Sequence, residues 1–253
     1  MKMRAVDQDS VHGRLRLLRE VDRKDGLLNS DSDAQAEKAM AVHRILIDEY
    51  GRREWHPRLD PVEELVSTIL SQNTNDVNRD RAYGQLRRQF PTWEAVRDAD
   101  LEEVKEAIRP AGLANSKGPA IQRALRQISQ ERGEISLGFL VDMPLDEAKA
   151  WLTGLNGVGP KTAAIVLLFS FNRPAFPVDT HVHRVSRRLG LIGPKVSRER
   201  AHDVLEALLP LETYLTFHLN LVTHGRQVCH ARQPGCDGCP LLALCDYGQE
   251  VGR

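Results

Sequence analysis

No stretch of this 253-residue sequence approaches the roughly 20 consecutive apolar residues that cross a bilayer. Its first residues lack the short apolar core of a secretory signal, so a soluble intracellular protein is expected, cytoplasmic and nucleoid-associated if bacterial. Net charge is absent as well. Lys and Arg number 35 against 35 Asp and Glu, so bulk charge announces no nucleic-acid partner, and any anion-binding surface has to come from local asymmetry. Cysteine is missing until position 229; all four lie at 229, 236, 239 and 245. A disulfide framework would spread its cysteines through a small secreted domain, whereas four clustered thiols read as one metal site. Strand signals are lacking too, with no sustained period-two alternation and no Asn-Gly hairpin between β-branched runs.

What is present is helical periodicity. Residues 1–35 are polar and carry both signs of charge, which predicts a mobile extension. From Ala36 onward Met40, Ile45, Leu46 and Tyr50 recur at helical spacing. Amphipathic helices follow in "VEELVSTILSQNT" and in "DVNRDRAYGQLRRQF", the latter with an Asp cap and a stop before Pro91. A longer one is expected over about 118–131, and others at 146–152, 162–169, 180–189, 197–208 and 212–223. The predicted fold is all-α, with ten or more short helices in two lobes.

The stretch "LNGVGPKTAA" (155–164) joins two of these helices. Gly157 and Gly159 permit positive φ and close backbone approach, and Pro160 suits a first helical turn. The open N–H groups and the helix dipole make an anion site there. Lys161 sits at that helix mouth, where the local field favours its neutral amine. Asp179 stands 18 residues on, in "FPVDTHVHRV", ahead of the next helix. It is placed to be an N-cap. A return of the chain through Pro174 and Pro177 would also bring its carboxylate near Lys161. A neutral amine beside a carboxylate is the equipment for attack at a sugar C1′, with the acid stabilising developing positive charge. The cysteine spacing, C-x6-C-x2-C-x5-C, suits zinc and a [4Fe-4S] cluster equally on physical grounds.

Together the "LNGVGPKTA" hairpin, the "VDTH" aspartate and the C-x6-C-x2-C-x5-C terminus resemble the endonuclease III family of helix–hairpin–helix DNA glycosylases over roughly residues 36–250. The resemblance implies a [4Fe-4S] cluster on Cys229, Cys236, Cys239 and Cys245. It implies catalytic roles for Lys161 and Asp179, with His181 in the same site. It further implies a six-helix domain at 53–173 carrying the hairpin, packed on a cluster domain built from 36–52 plus 174–253. The expected activity is base excision repair by a bifunctional glycosylase and abasic-site lyase acting on oxidised pyrimidines. The expected partner is duplex DNA with damaged bases or abasic sites, bound by a monomer.

In "LSQNTND" (70–76) Asn73 falls where the family usually inserts a glutamine into the gap left by a flipped base, and Gln72 is its neighbour. In "GLANSK" (112–117) Leu113 matches the family's wedge. Gly157, Gly159, Gln72, Asn73, Leu113, Lys117, His181 and Arg232 form the expected DNA-contact set. The family's adenine-specific relative has a glutamate on the helix before the gap-facing turn and lacks the hairpin lysine. This sequence has apolar residues around Ile69 there and keeps Lys161. Two further readings remain open: a helix–hairpin–helix protein that binds DNA without chemistry, and a glycosylase of shifted lesion preference. A zinc-stabilised scaffold with no DNA role is the third.

Overall fold

The computed structural model describes residues 31–57 and 59–251, and among these no strand occurs. The extension expected at 1–35 lies outside the described residues as far as residue 30. Its last five residues instead belong to the first helix, α1 (Asp31–Tyr50), which starts ahead of the expected Ala36. Helix α2 (Pro61–Ser71) opens with a capping box in which Asp60 and Glu63 exchange side-chain bonds with each other's backbone. Helix α3 (Asp76–Gln89) is capped by Asn75 rather than the expected Asp76, because Asn75 Oδ1 reaches the Asn78 N–H at 2.8 Å. Next come α4 (Trp93–Asp98), α5 (Leu101–Ala107) and the long α6 (Ala114–Arg132). Then follow α7 (Leu145–Thr153) and α8 (Pro160–Ile165). Helices α9 (Thr180–Arg188), α10 (Arg198–Leu208), α11 (Tyr214–Gln227) and α12 (Asp246–Val251) complete the order.

The apolar faces close into two cores. One gathers Leu65 and Ile69 of α2, Leu86 of α3, Ile121 and Leu125 of α6, Leu152 and Leu167. The other gathers Val42 and Leu46 of α1, Phe176, Val182 of α9, Leu205 of α10 and Phe217 and Leu221 of α11. The second core is therefore built from segments on both sides of the first in sequence. Each fully buried Leu or Phe side chain contributes about 1.5–3 kcal/mol relative to exposure.

The two cores meet at one widened turn. After Ile165 the helix continues as a π-turn, Val166–Ser170. Leu167 points into the first core and its neighbour Leu168 into the second. The wider turn shifts the helical register enough for adjacent leucines to serve different cores. The carbonyls of Leu168 and Phe169 accept from Trp55 Nε1 at 3.0 and 3.2 Å, so the indole of the segment after α1 satisfies the end of this helix. The element that opens with Lys161 is thus anchored in both lobes.

Candidate active site and cysteine centre

A cleft of about 1210 Å³ runs between the lobes, and both Lys161 and Asp179 line it. Its walls come from α2, the turn after it, the start of α8, the start of α9 and the middle of α11. Lys161 is half-buried on the first turn of α8. Gly159 is the N-cap and has no side chain to offer, and Pro160 has no N–H. The first turn therefore opens to the cleft without a side-chain cap.

The two hairpin glycines do different work. Gly157 is held at φ +80°, and a Cβ there would stand 2.7 Å from the Ala120 Cβ of α6, so conformation and space both demand glycine. Gly159 has φ −99°, with nothing within 4 Å of an added Cβ. The expected positive φ is absent there; what the missing side chain leaves is an uncovered approach to the backbone. Three contacts hold the hairpin. Val158 is buried in the first core, Arg123 Nη2 donates to Asn156 Oδ1 at 2.8 Å, and Gln72 Nε2 donates to the Gly157 carbonyl at 3.0 Å.

Asp179 is the N-cap of α9, with Oδ1 accepting from the Val182 N–H at 2.7 Å. Buried Phe176, Pro177 and Val178 deliver it to the cleft. Behind it lies His218 of α11, buried, with Nδ1 donating to the Pro177 carbonyl at 2.9 Å. The carbonyl selects the Nδ1–H tautomer and leaves Nε2 as the acceptor. Burial foremost pushes this imidazole down to about 4, with Asp179 pulling the other way and Lys161 adding to the depression. It is a neutral wall beside Asp179 and Lys161.

The depressed His218 has a stability consequence. Its folded-state value lies below the 6.5 of an unfolded histidine, so the unfolded chain binds the extra proton. The stability it contributes is complete above pH 6.5 and is lost as pH falls toward 4. Between pH 7 and 5 the loss is about 2 kcal/mol. In His218→Gln the amide keeps a donor for Pro177, and the fall in unfolding free energy over that interval should shrink by this amount. Equal pH dependences in urea titrations of the two proteins would show that His218 is not buried in its neutral form.

Asn73 and Leu113 share an uncommon feature, positive φ in non-glycine residues, at 52° and 50°. Both are exposed. Left-handed backbone at a Leu costs on the order of 1 kcal/mol or more. Leu113 also leaves 56% of its surface in water. A strained, solvent-facing leucine has no folding role that accounts for it. His181, next to the cleft, is bonded to Arg184 Nη2 through Nδ1 at 3.1 Å. Arg232 is exposed in the cysteine loop.

Lys117 corrects the expected DNA-contact set. It is 2% exposed, and Nζ donates to the carbonyls of Leu70 at 2.8 Å and Ala111 at 2.9 Å, so it cannot reach a phosphate. Other basic residues of the same stretch are also occupied. Arg109 pairs with Glu106, Arg123 holds Asn156 and Arg126 Nη2 donates to the Arg97 carbonyl. Sequence reasoning missed Glu64 of α2 as well, a buried carboxylate on the cleft wall that accepts from Thr68 Oγ1 at 3.4 Å. A Glu within an amphipathic helix looks solvated in sequence; only the packing of α2 in the folded protein encloses it. His218 gave no signal beyond being one histidine on a helix.

The four cysteines line one apolar pocket with Val185, Leu189 and Leu241. Burial first, then neighbouring thiols, push Cys239 and Cys245 up. Nitrogen atoms lie close to three of the sulfurs. Arg188 Nη1 lies 3.1 Å from Cys229 Sγ, the Gly248 N–H is 3.4 Å from Cys245 Sγ, and His224 Nε2 is 3.6 Å from Cys239 Sγ. Among the described residues no three His, Cys, Asp or Glu side chains converge on a point suited to a single metal ion. Four thiols lining one pocket are a donor set that fits a thiolate-bound metal centre. Arg188 and Arg184 tie this loop to α9, the helix that Asp179 caps, through the carbonyls of His230, Ala231 and Cys229.

A profile of HhH-GPD superfamily base excision DNA repair proteins matches residues 66–210, the part that contains the hairpin, Lys161 and Asp179. The chain belongs to this superfamily. Endonuclease III of Thermotoga maritima is 34% identical over 198 residues, covering 78% of this chain and 88% of its own. An Arabidopsis thaliana relative named as a DNA glycosylase is 34% identical over 73% of this chain, a match that spans 66% of that longer protein. A solved structure of a trapped covalent intermediate between endonuclease III and DNA superposes with a TM-score of 0.73 at 29% identity, covering 86% of this chain and 99% of that one. This HhH-GPD protein therefore has the endonuclease III fold.

Proposed function

We propose that this HhH-GPD protein is a bifunctional DNA glycosylase and abasic-site lyase that removes oxidised pyrimidines from duplex DNA. The observation that carries the reading is the meeting of Lys161 and Asp179 in one interlobe cleft, under an uncapped helix start. The N–H groups of the Gly157–Gly159 hairpin grip a backbone phosphate. Leu113 wedges the stack, Asn73 faces the vacated position, and the damaged nucleotide turns into the cleft. Lys161 Nζ attacks C1′ as the glycosidic bond breaks and the base departs with the bonding electron pair. Asp179 stabilises the positive charge that develops on the sugar. The attached amine gives up one proton, the C1′–O4′ bond of the sugar ring breaks with O4′ taking up a proton, and a protonated C1′ imine results. Abstraction of a C2′ proton then expels the 3′ phosphate, leaving a nicked strand. His218, neutral and buried, keeps the rear of the site free of competing charge.

Cys229, Cys236, Cys239 and Cys245 would hold a [4Fe-4S] cluster, which when bound cross-links the C-terminal loop and so presents Arg232 to phosphate. Purified protein should carry about four irons and absorb broadly near 400 nm. Zinc with no iron would sink this assignment. For the activity, duplexes bearing thymine glycol, dihydrouracil, uracil or an abasic site are the test. Base release with strand nicking on the first two is expected. Binding without release on every duplex would leave a DNA-binding module instead. Release confined to another base would point to a shifted lesion preference.

A further inference from the structure

Lys117 is a buried cation that the chemistry above does not use. It sits in the first turn of α6, where the helix dipole disfavours positive charge, and burial pushes its ammonium group down further. Its retention there needs a compensating interaction, and two carbonyls supply it. Leu70 ends the buried part of α2, immediately before the turn that carries Asn73. Ala111 ends the short 3₁₀ turn Arg109–Ala111, immediately before Gly112 and Leu113. Both carbonyls lie at helix C-termini, where a cation is favourable and where the acceptors have no helical partner. The backbone N–H of Lys117 also donates to the Leu113 carbonyl at 3.0 Å. One residue is thus bonded to the base of both strained turns and to the wedge residue itself.

We propose that Lys117 is a positioning residue that fixes the Asn73 turn and the Leu113 turn to each other, so that both side chains enter the duplex as one rigid unit. This rests on the reading that the two turns insert into DNA. The bond from Gln72 to the Gly157 carbonyl extends the same frame to the phosphate-gripping hairpin. The backbone strain at 52° and 50° is then held in place by a buried ammonium group rather than by packing alone.

The test separates duplex opening from chemistry. In Lys117→Met the side chain keeps its length and loses both bonds. Fluorescence of 2-aminopurine opposite an uncleavable abasic analogue reports opening at saturating protein. Borohydride trapping on a single-stranded abasic oligonucleotide reports chemistry that needs no insertion. Wild type should brighten the probe and be trapped on the single strand. Lys117→Met should lose the brightening and fall roughly 10²-fold in kcat on duplex abasic DNA, while single-strand trapping stays within about twofold. Lys117→Gln, whose amide still donates but is shorter and uncharged, should fall between the two proteins. Brightening by Lys117→Met equal to wild type would overturn the proposal. So would a parallel loss of single-strand trapping in both variants, which marks a merely structural lysine. A wild-type protein that never brightens the probe would instead overturn the reading that the turns insert at all.

Discussion

Lys161→Ala should form no covalent adduct with abasic DNA under borohydride, and its single-turnover strand nicking should fall on the order of 10⁴-fold or more. Removing a nucleophile takes away the bond-forming atom, so no residual interaction can substitute for it. The side chain is half-buried at the uncapped start of α8 and contributes little to either core, so folding should be retained. Lys161→Arg sharpens the test. It places at the helix mouth a guanidinium that stays protonated and cannot form the imine. Abasic-duplex affinity near wild type with no adduct would assign the lysine to chemistry. An adduct in either variant would move the nucleophile elsewhere. Loss of affinity matching the loss of nicking would make Lys161 a phosphate clamp.

Asp179→Asn should keep the fold and lose catalysis. In the proposed mechanism the aspartate has two tasks, because Oδ1 caps α9 at 2.7 Å from the Val182 N–H while the residue lines the cleft. Asparagine caps a helix about as well as aspartate, so Tm and helical content should hardly change. The negative charge that stabilises the sugar cation is gone, and base release should slow by about 10²–10³-fold. Asp179→Ala should add to this a loss of roughly 1 kcal/mol in stability, the ordinary value of an N-cap. The comparison of the two variants divides the cap from the charge. Unchanged base release in Asp179→Asn would reduce Asp179 to its capping role.

The all-α class was legible in the sequence because helical periodicity, caps and Pro or Gly stops recur along it while strand signals are missing. Boundaries were less so. Helix α6 begins at Ala114, ahead of the expected 118, since Leu113 enters it from a left-handed conformation that no propensity announces. The π-turn at Val166–Ser170 is likewise invisible in "VLLFS", an apolar run compatible with any helical pitch. Its register comes from two cores competing for adjacent leucines.

For the site, residue type and local order carried the chemistry. A lysine behind two glycines, an aspartate before a helix and four close thiols name themselves, because each needs only its neighbours in the chain to be noticed. Residue roles that depend on surroundings did not. Lys117 looked like a phosphate contact beside other basic residues, and burial made it a bond between two helix ends. Glu64 and His218 looked ordinary and became walls of the cleft. By itself the sequence determined the helical class and the hairpin and singled out the candidate reactive groups, since these are read from residues a few positions apart. The tertiary structure alone decided which charges face the cleft, which are buried and which hold backbone in place, because desolvation and hydrogen-bond partners are set by segments as distant as Pro177 and His218 that meet only when both cores have formed.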